Sequence, residues 1–159
     1  MYGKKNIYGV LLNPLRIIET NGGNVLHGMK AKEDGDFGFG EAYFSTIAFK
    51  SIKGWKRHKR MVLNLIVPVG AIRFVLYDDR ENSSTNSMFQ EIILSRKNYQ
   101  RLTIPPMVWV AFQGLGTDDN ILLNIASIIH NINEVDNVTI DSIDYKWEKK
   151  WKKYEGYYF

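Results

Sequence analysis

Between Lys53 and Asp79 the chain reads KGWKRHKRMVLNLIVPVGAIRFVLYDD, and this stretch restricts the fold more than any other. A cationic cluster, Lys53, Lys56, Arg57, His58, Lys59 and Arg60, surrounds Trp55 and leads into two apolar runs. The first spans Val62 to Val67 and the second Ile72 to Tyr77, with Pro68 and Gly70 between them. Short runs rich in β-branched and aromatic residues, broken by Pro and Gly, predict paired strands. The hairpin so formed would carry its basic cluster to the mouth of a sheet. Alternate residues of a strand share a face, so Lys56, His58 and Arg60 are expected to point together toward an anionic ligand. For any single lysine the competing reading is a solvated rim.

The same signature recurs along the chain. An apolar strand at Gly9 to Leu12 is followed by Pro14, the turn Asn21-Gly22-Gly23 and a strand through His27, a hairpin pattern. Ala31 to Gly40, acidic and glycine-rich, reads as a loop, and Glu41 to Phe49 alternates as a strand does. After the polar turn Arg80 to Ser87 come strands at Phe89 to Leu94, Tyr99 to Ile104, Val108 to Phe112 and Ile121 to Ile129. No long helical period precedes residue 142. Many short strands with polar turns predict an all-β fold, closed or sandwiched, with residues 1–159 as one domain. The tail differs. Trp147, Trp151 and Tyr154 fall on one face of a short C-terminal helix, with lysines on the other. Docking of those aromatics on the sheet is favoured over an aromatic-basic nucleic-acid element.

Composition narrows the function. With no cysteine, disulfides, thiolate metal sites and a cysteine nucleophile are excluded. No apolar run is long enough to span a membrane, and the N-terminal apolar segment is too interrupted for a signal peptide, so a cytoplasmic protein is expected. The net charge of +4 is concentrated in two clusters, near Lys50 to Arg60 and Lys146 to Lys153, which points to a phosphate-bearing partner. Nucleic acid is a weaker candidate, because no signature motif accompanies the charge. The histidines are His27, His58 and His130, and a metal site would need all three to converge; neither metal nor cofactor is expected.

Three segments carry a specific resemblance: GEAYFSTIAFKSIKGWKRH, VPVGAIRFVLYDDR and FQEIILSRKNYQRLTIPP. In order and spacing they resemble the cupin-type dTDP-4-dehydrorhamnose 3,5-epimerases, from about Gly9 to about Trp147, and a shorter branch of that family in particular. The resemblance implies a β jelly roll, a homodimer with an exchanged N-terminal hairpin, and a nucleotide-linked 4-keto-6-deoxy sugar as ligand, handled without a metal. It carries the family's catalytic residues over poorly. The base position falls on Lys56, with His58 two residues on; the second histidine falls on Val110, the lysine on Leu63 and the tyrosine acid on Ile128 or Ile129. The supporting aspartate persists as Asp78. In the N-terminal hairpin the phosphate-binding arginine falls on Gly22 and a glutamate on His27.

Epimerisation beside a ketone needs a base near neutral pH and a donor for the enolate. His58, Lys56 and Tyr43 are the catalytic candidates: His58 by its ordinary pKa range, Lys56 by its cationic neighbours and Tyr43 from the adjoining strand. Lys53, Arg60, His27, Trp109, Asn64 and Asn124 make up the expected substrate-binding set. Two functional readings follow: an epimerase-like enzyme lacking the usual His/Tyr pair, or a non-catalytic nucleotide-sugar-binding cupin. A nucleic-acid-binding β module is the third and weakest.

Overall fold

The structure is a computed structural model that describes residues 6–147. Two antiparallel five-stranded sheets face each other as a jelly roll. The first runs β1 (Leu11–Pro14), β9 (Gln100–Ile104), β6 (Leu63–Val69), β11 (Ile121–Ala126), β4 (Glu41–Thr46). The second runs β12 (Val135–Asn137), β5 (Ile52–His58), β10 (Trp109–Gly114), β7 (Ala71–Asp78), β8 (Met88–Ser95). A separate hairpin, β2 (Ile17–Thr20) and β3 (Gly23–Leu26), closes through the predicted Asn21-Gly22 turn. The only helical elements among the described residues are 3-10 turns at Ile132–Glu134 and Ile140–Ser142, and Trp147, the last described residue, has helical conformation.

The two apolar runs that read in the sequence as one hairpin do not pair. β6 lies between β9 and β11, whereas β7 lies between β8 and β10, in the other sheet. At Gly70 the chain crosses from one layer to the next. Its φ is +74°, and a Cβ there would come within 2.4 Å of the Asp119 carbonyl oxygen, so a side chain is excluded. Both runs are almost continuously buried because each strand is covered on both faces, its inner side by the shared core between the sheets.

The main core fills the space between the sheets, with Leu65, Phe74, Leu76, Leu102 and Ile104 at its centre. A second cluster covers the outer face of the β5–β10–β7 layer, where Trp55, Val75, Trp109 and Ala111 pack under Tyr145 and Trp147. The Trp55 ring lies edge-on to Tyr145 at 6.4 Å and tilted against Trp147 at 6.0 Å. The described start of the tail is thus docked on the sheet. Trp151 and Tyr154, on which the expected C-terminal helix depends, lie outside the described residues.

On the outside of the first sheet, the loop after β3 is fixed by polar groups. Arg101, fully buried, bonds to Glu33 and to the carbonyls of Asp34 and Gly28. Asn64 donates to Gly35 O at 3.0 Å and accepts from Thr103 Oγ1 at 2.7 Å. The space between the sheets opens at the β4–β5 end.

Candidate active site

At that end lies a cavity of about 390 Å³. Its floor is apolar, made by Leu63 and Leu65 of β6, Val110 and Phe112 of β10 and Leu122 of β11. Its polar groups come from four places. Lys53, Lys56 and His58 stand on β5, Tyr43 and Ser45 on the edge strand β4, and Asn124 on β11; His130 closes the rim from the loop that follows.

Strand alternation places Lys56 and His58 together, but it would turn Lys53 away. A register shift corrects this. Val110 pairs with Lys56 while Phe112 pairs with Lys53, so β5 spends three residues where β10 spends two. Such a bulge resets the parity of a strand and brings Lys53 onto the inner face. The bulge needs Gly54, whose φ is +125° and whose Cβ would come within 2.7 Å of Ala111 Cα.

The sheet divides the basic cluster. Arg57 points outward, over the Trp109 ring at 4.4 Å, and is bonded to Asp79 at 3.0 Å and Asp136 at 2.9 Å. Lys59 bonds to Asn133 O at 3.1 Å and lies near Asp136. Arg60 lies beyond the last residue of β5, where the chain has turned toward Glu134, and pairs with it at 3.3 Å from a largely exposed position. Arg60 therefore does not join Lys56 and His58 as alternation predicted.

His58 is buried, and its Nδ1 has no hydrogen-bond partner among the described residues. Burial holds its imidazole pKa below the ordinary 6.5; Glu134 opposes this, while the charges of Lys56 and His130 reinforce it. The ring is therefore neutral and basic at neutral pH, which suits a proton acceptor. Across the cavity, Asn124 Nδ2 donates to the Tyr43 hydroxyl oxygen at 2.9 Å. Lys53 Nζ donates to Thr46 O at 2.7 Å and marks the mouth.

All three catalytic candidates read from sequence, His58, Lys56 and Tyr43, line this one cavity, and so do Lys53 and Asn124. The others lie elsewhere. Asn64 faces away from the cavity on β6, with both ends of its amide bonded. Trp109 is on the outer face, where Nε1 donates to Asp79 at 2.8 Å. His27 lines a separate shallow pocket beside Arg16 and Lys30. Asp78 is committed to the β7–β8 turn, accepting from Arg80, Ser83 and Thr85, which hold its carboxyl far below the usual range against the opposing effect of burial. Sequence reasoning missed Ser45 and His130. Ser45 follows from Tyr43 by alternation; no local signal places the His130 loop at the rim.

No protein-family model matches the chain. A curated relative, the probable low-salt glycan biosynthesis epimerase Agl13 of Haloferax volcanii, is 26% identical over 100 residues. The match covers 62% of this chain and 64% of that relative's length, less than two thirds. Among solved structures, a dTDP sugar isomerase from Desulfovibrio desulfuricans is 37% identical, with a TM-score of 0.85 over 89% of this chain and 92% of that one. The 3'-monoepimerase ChmJ of Streptomyces bikiniensis, solved with dTDP-quinovose, shares the fold at 15% identity and a TM-score of 0.78, over 86% of this chain and 72% of that one. By its likeness to the Desulfovibrio protein across nearly the whole of both chains, this chain belongs to the family of dTDP-4-dehydrorhamnose 3,5-epimerases and related dTDP-sugar isomerases.

Proposed function

We propose that the protein is a cytoplasmic nucleotide-sugar epimerase acting on a dTDP-linked 4-keto-6-deoxy sugar, with His58 as the base. The observation that carries this reading is His58 itself, a buried histidine with a depressed pKa and an Nδ1 unpartnered among the described residues, on the wall of a cavity whose floor is apolar. A neutral imidazole there removes the proton from the carbon beside the ketone. Lys56, beside it on β5, supplies positive charge for the enolate oxygen that forms. Tyr43, on the opposite sheet, returns a proton to the other face. Phe112 and the leucines give the sugar ring a dry floor, and Lys53 at the mouth meets the diphosphate.

Support for the ligand class comes from the family and from the charge pattern. Arg57, Lys59 and Arg60 have acidic partners, while the cavity wall presents Lys53, Lys56, His58 and His130 with no carboxylate among the described residues that line it. The β2–β3 hairpin, a sheet of its own with Ile17, Ile18 and Val25 exposed, is the segment exchanged between subunits of a homodimer in this reading. Light scattering after size exclusion tests that part, and a monomer refutes it.

Deuterium incorporation from D₂O into dTDP-4-keto-6-deoxyglucose, followed by proton NMR, tests the activity. The expected result is exchange beside the ketone, abolished by His58→Ala. Nucleotide-sugar binding without any exchange identifies the non-catalytic module instead. Tight, salt-sensitive binding of a single-stranded oligonucleotide with no response to dTDP overturns both.

A further inference from the structure

Asn124 is out of place for a strand of this kind. Along β11 the inward positions are Leu122, Asn124 and Ala126, so one amide interrupts an apolar row in the core. Asparagine is a poor strand former, and a buried amide has to be matched at both of its ends. Only one end is matched here. Nδ2 donates to Tyr43, the direct cross-strand partner of Asn124, whereas Oδ1 is buried without a partner among the described residues. Asn64, the corresponding amide one strand away, shows the contrast: it is tied at both ends into the loop it anchors.

The direction of the Asn124–Tyr43 bond has a chemical consequence. Because the amide donates, the tyrosine oxygen acts as acceptor, and its own proton must point elsewhere. Tyr43 lies on the edge strand with 42% of its surface exposed and lines the cavity, so that proton is free to face a ligand. Were the amide turned over, Oδ1 would take the hydroxyl proton and Tyr43 would have none to offer the ligand. His58 stands on the other sheet, with its own unpartnered nitrogen. Two unsatisfied buried atoms thus belong to the two walls of one cavity.

We infer that Asn124 is a positioning residue: it holds the Tyr43 hydroxyl as a donor toward the cavity, opposite His58, and offers Oδ1 to a hydroxyl of the bound sugar. This assignment rests on the epimerase reading. In the step it serves, His58 takes the proton from carbon and becomes imidazolium, the C–H pair moves into the enolate, and the Tyr43 O–H bond breaks as its proton reaches the other face of that carbon. The imidazolium then loses its proton to water and the phenolate regains one, so nothing is consumed.

The experiment separates exchange from inversion in D₂O. A base alone allows label to enter and leave by one face; inversion needs the opposite donor. Asn124→Asp keeps the shape but, when ionised, can only accept, which turns the Tyr43 proton away from the cavity. Asn124→Leu keeps the volume of the apolar row and serves if the aspartate variant does not fold. In either variant, and in Tyr43→Phe, the ratio of inversion to exchange is expected to fall by about tenfold or more. The double variant should fall no further, because the two residues act as one unit. Equal loss of exchange and inversion means a merely structural role and overturns the inference, as does an unchanged ratio. If the unmodified chain shows no exchange, the epimerase reading fails first and the inference falls with it.

Discussion

Strand β5 has two faces that use the same kinds of residue in opposite ways. Outward it presents Trp55 and Arg57. The Trp55 Nε1 donates to Ile140 O at 3.2 Å, and all three guanidinium nitrogens of Arg57 are bonded to Asp79 or Asp136. Inward it presents Lys56 and His58, in a cavity where, among the described residues, no carboxylate forms the lining and the His58 Nδ1 has no partner. Buried polar groups are normally satisfied, and a net hydrogen bond is worth only about 0.5–1.5 kcal/mol, while an unmet buried donor or acceptor costs about 1–3 kcal/mol. The outer face is closed by its own contacts. The inner face leaves groups unmet inside a space that a sugar could fill, and that difference separates structure from function on a single strand.

The comparison breaks most visibly at its two centres. On the inner face, His58→Gln should cost about 10²–10⁴-fold in turnover. Its denaturant midpoint should stay close to that of the unmodified chain, because His58 Nδ1 bonds to none of the described residues. On the outer face, Trp55→Ala should cost about 3–5 kcal/mol of stability, since a fully buried indole leaves a void under Tyr145 and Trp147. Equilibrium urea unfolding and the NMR assay together decide the matter. If His58→Gln unfolds as readily as Trp55→Ala, the inner face is structural too.

Between the two faces lies Gly54. Adding a methyl group there meets the Ala111 backbone at 2.7 Å and requires a positive φ from a residue that disfavours it. Gly54→Ala should therefore cost about 1–3 kcal/mol. It should also lower nucleotide-sugar affinity, because the bulge it supports is what turns Lys53 inward. Unchanged calorimetric affinity for dTDP in a folded Gly54→Ala variant would show that Lys53 does not depend on the bulge.

Alternation and turn chemistry make the strands, the β2–β3 hairpin and the inward pairing of Lys56 with His58 legible in the sequence, and the three motif segments make the jelly roll legible as well. What could not be read was non-local. Val62 to Val67 and Ile72 to Tyr77 look like a hairpin because each is apolar and a tight turn separates them; only the sandwich explains why they part at Gly70. The bulge at Gly54 depends on β10, which is remote in sequence. Asn64 and Asn124 look alike in sequence, each an amide in an apolar run. Their roles differ because one faces the loop at Gly35 and the other faces the cavity. Trp109 reads equally well as a stacking platform or as core, and parity on β10 together with the Asp79 bond assigns it to the outer face.

The smallest expected effect is the sharpest test of the inner face, because it has a sign. In the folded chain the His58 pKa lies below 6.5, so the imidazole stays neutral to lower pH than in an unfolded chain. The acid limb of kcat/KM, which reports the base of the free enzyme, should therefore fall below pH 6.5. The same shift means that stability declines as the pH drops from 6.5 toward the folded value, then levels off once both states are protonated. Charges around the ring set the direction of further movement. Lys56→Met removes a cation that opposes protonation and should move the limb up toward 6.5, whatever it does to the plateau. Glu134→Gln removes the carboxylate that favours protonation and should move the limb down. Limbs that shift in the same direction in the two variants, or not at all, would mean that a group other than His58 titrates in the reaction.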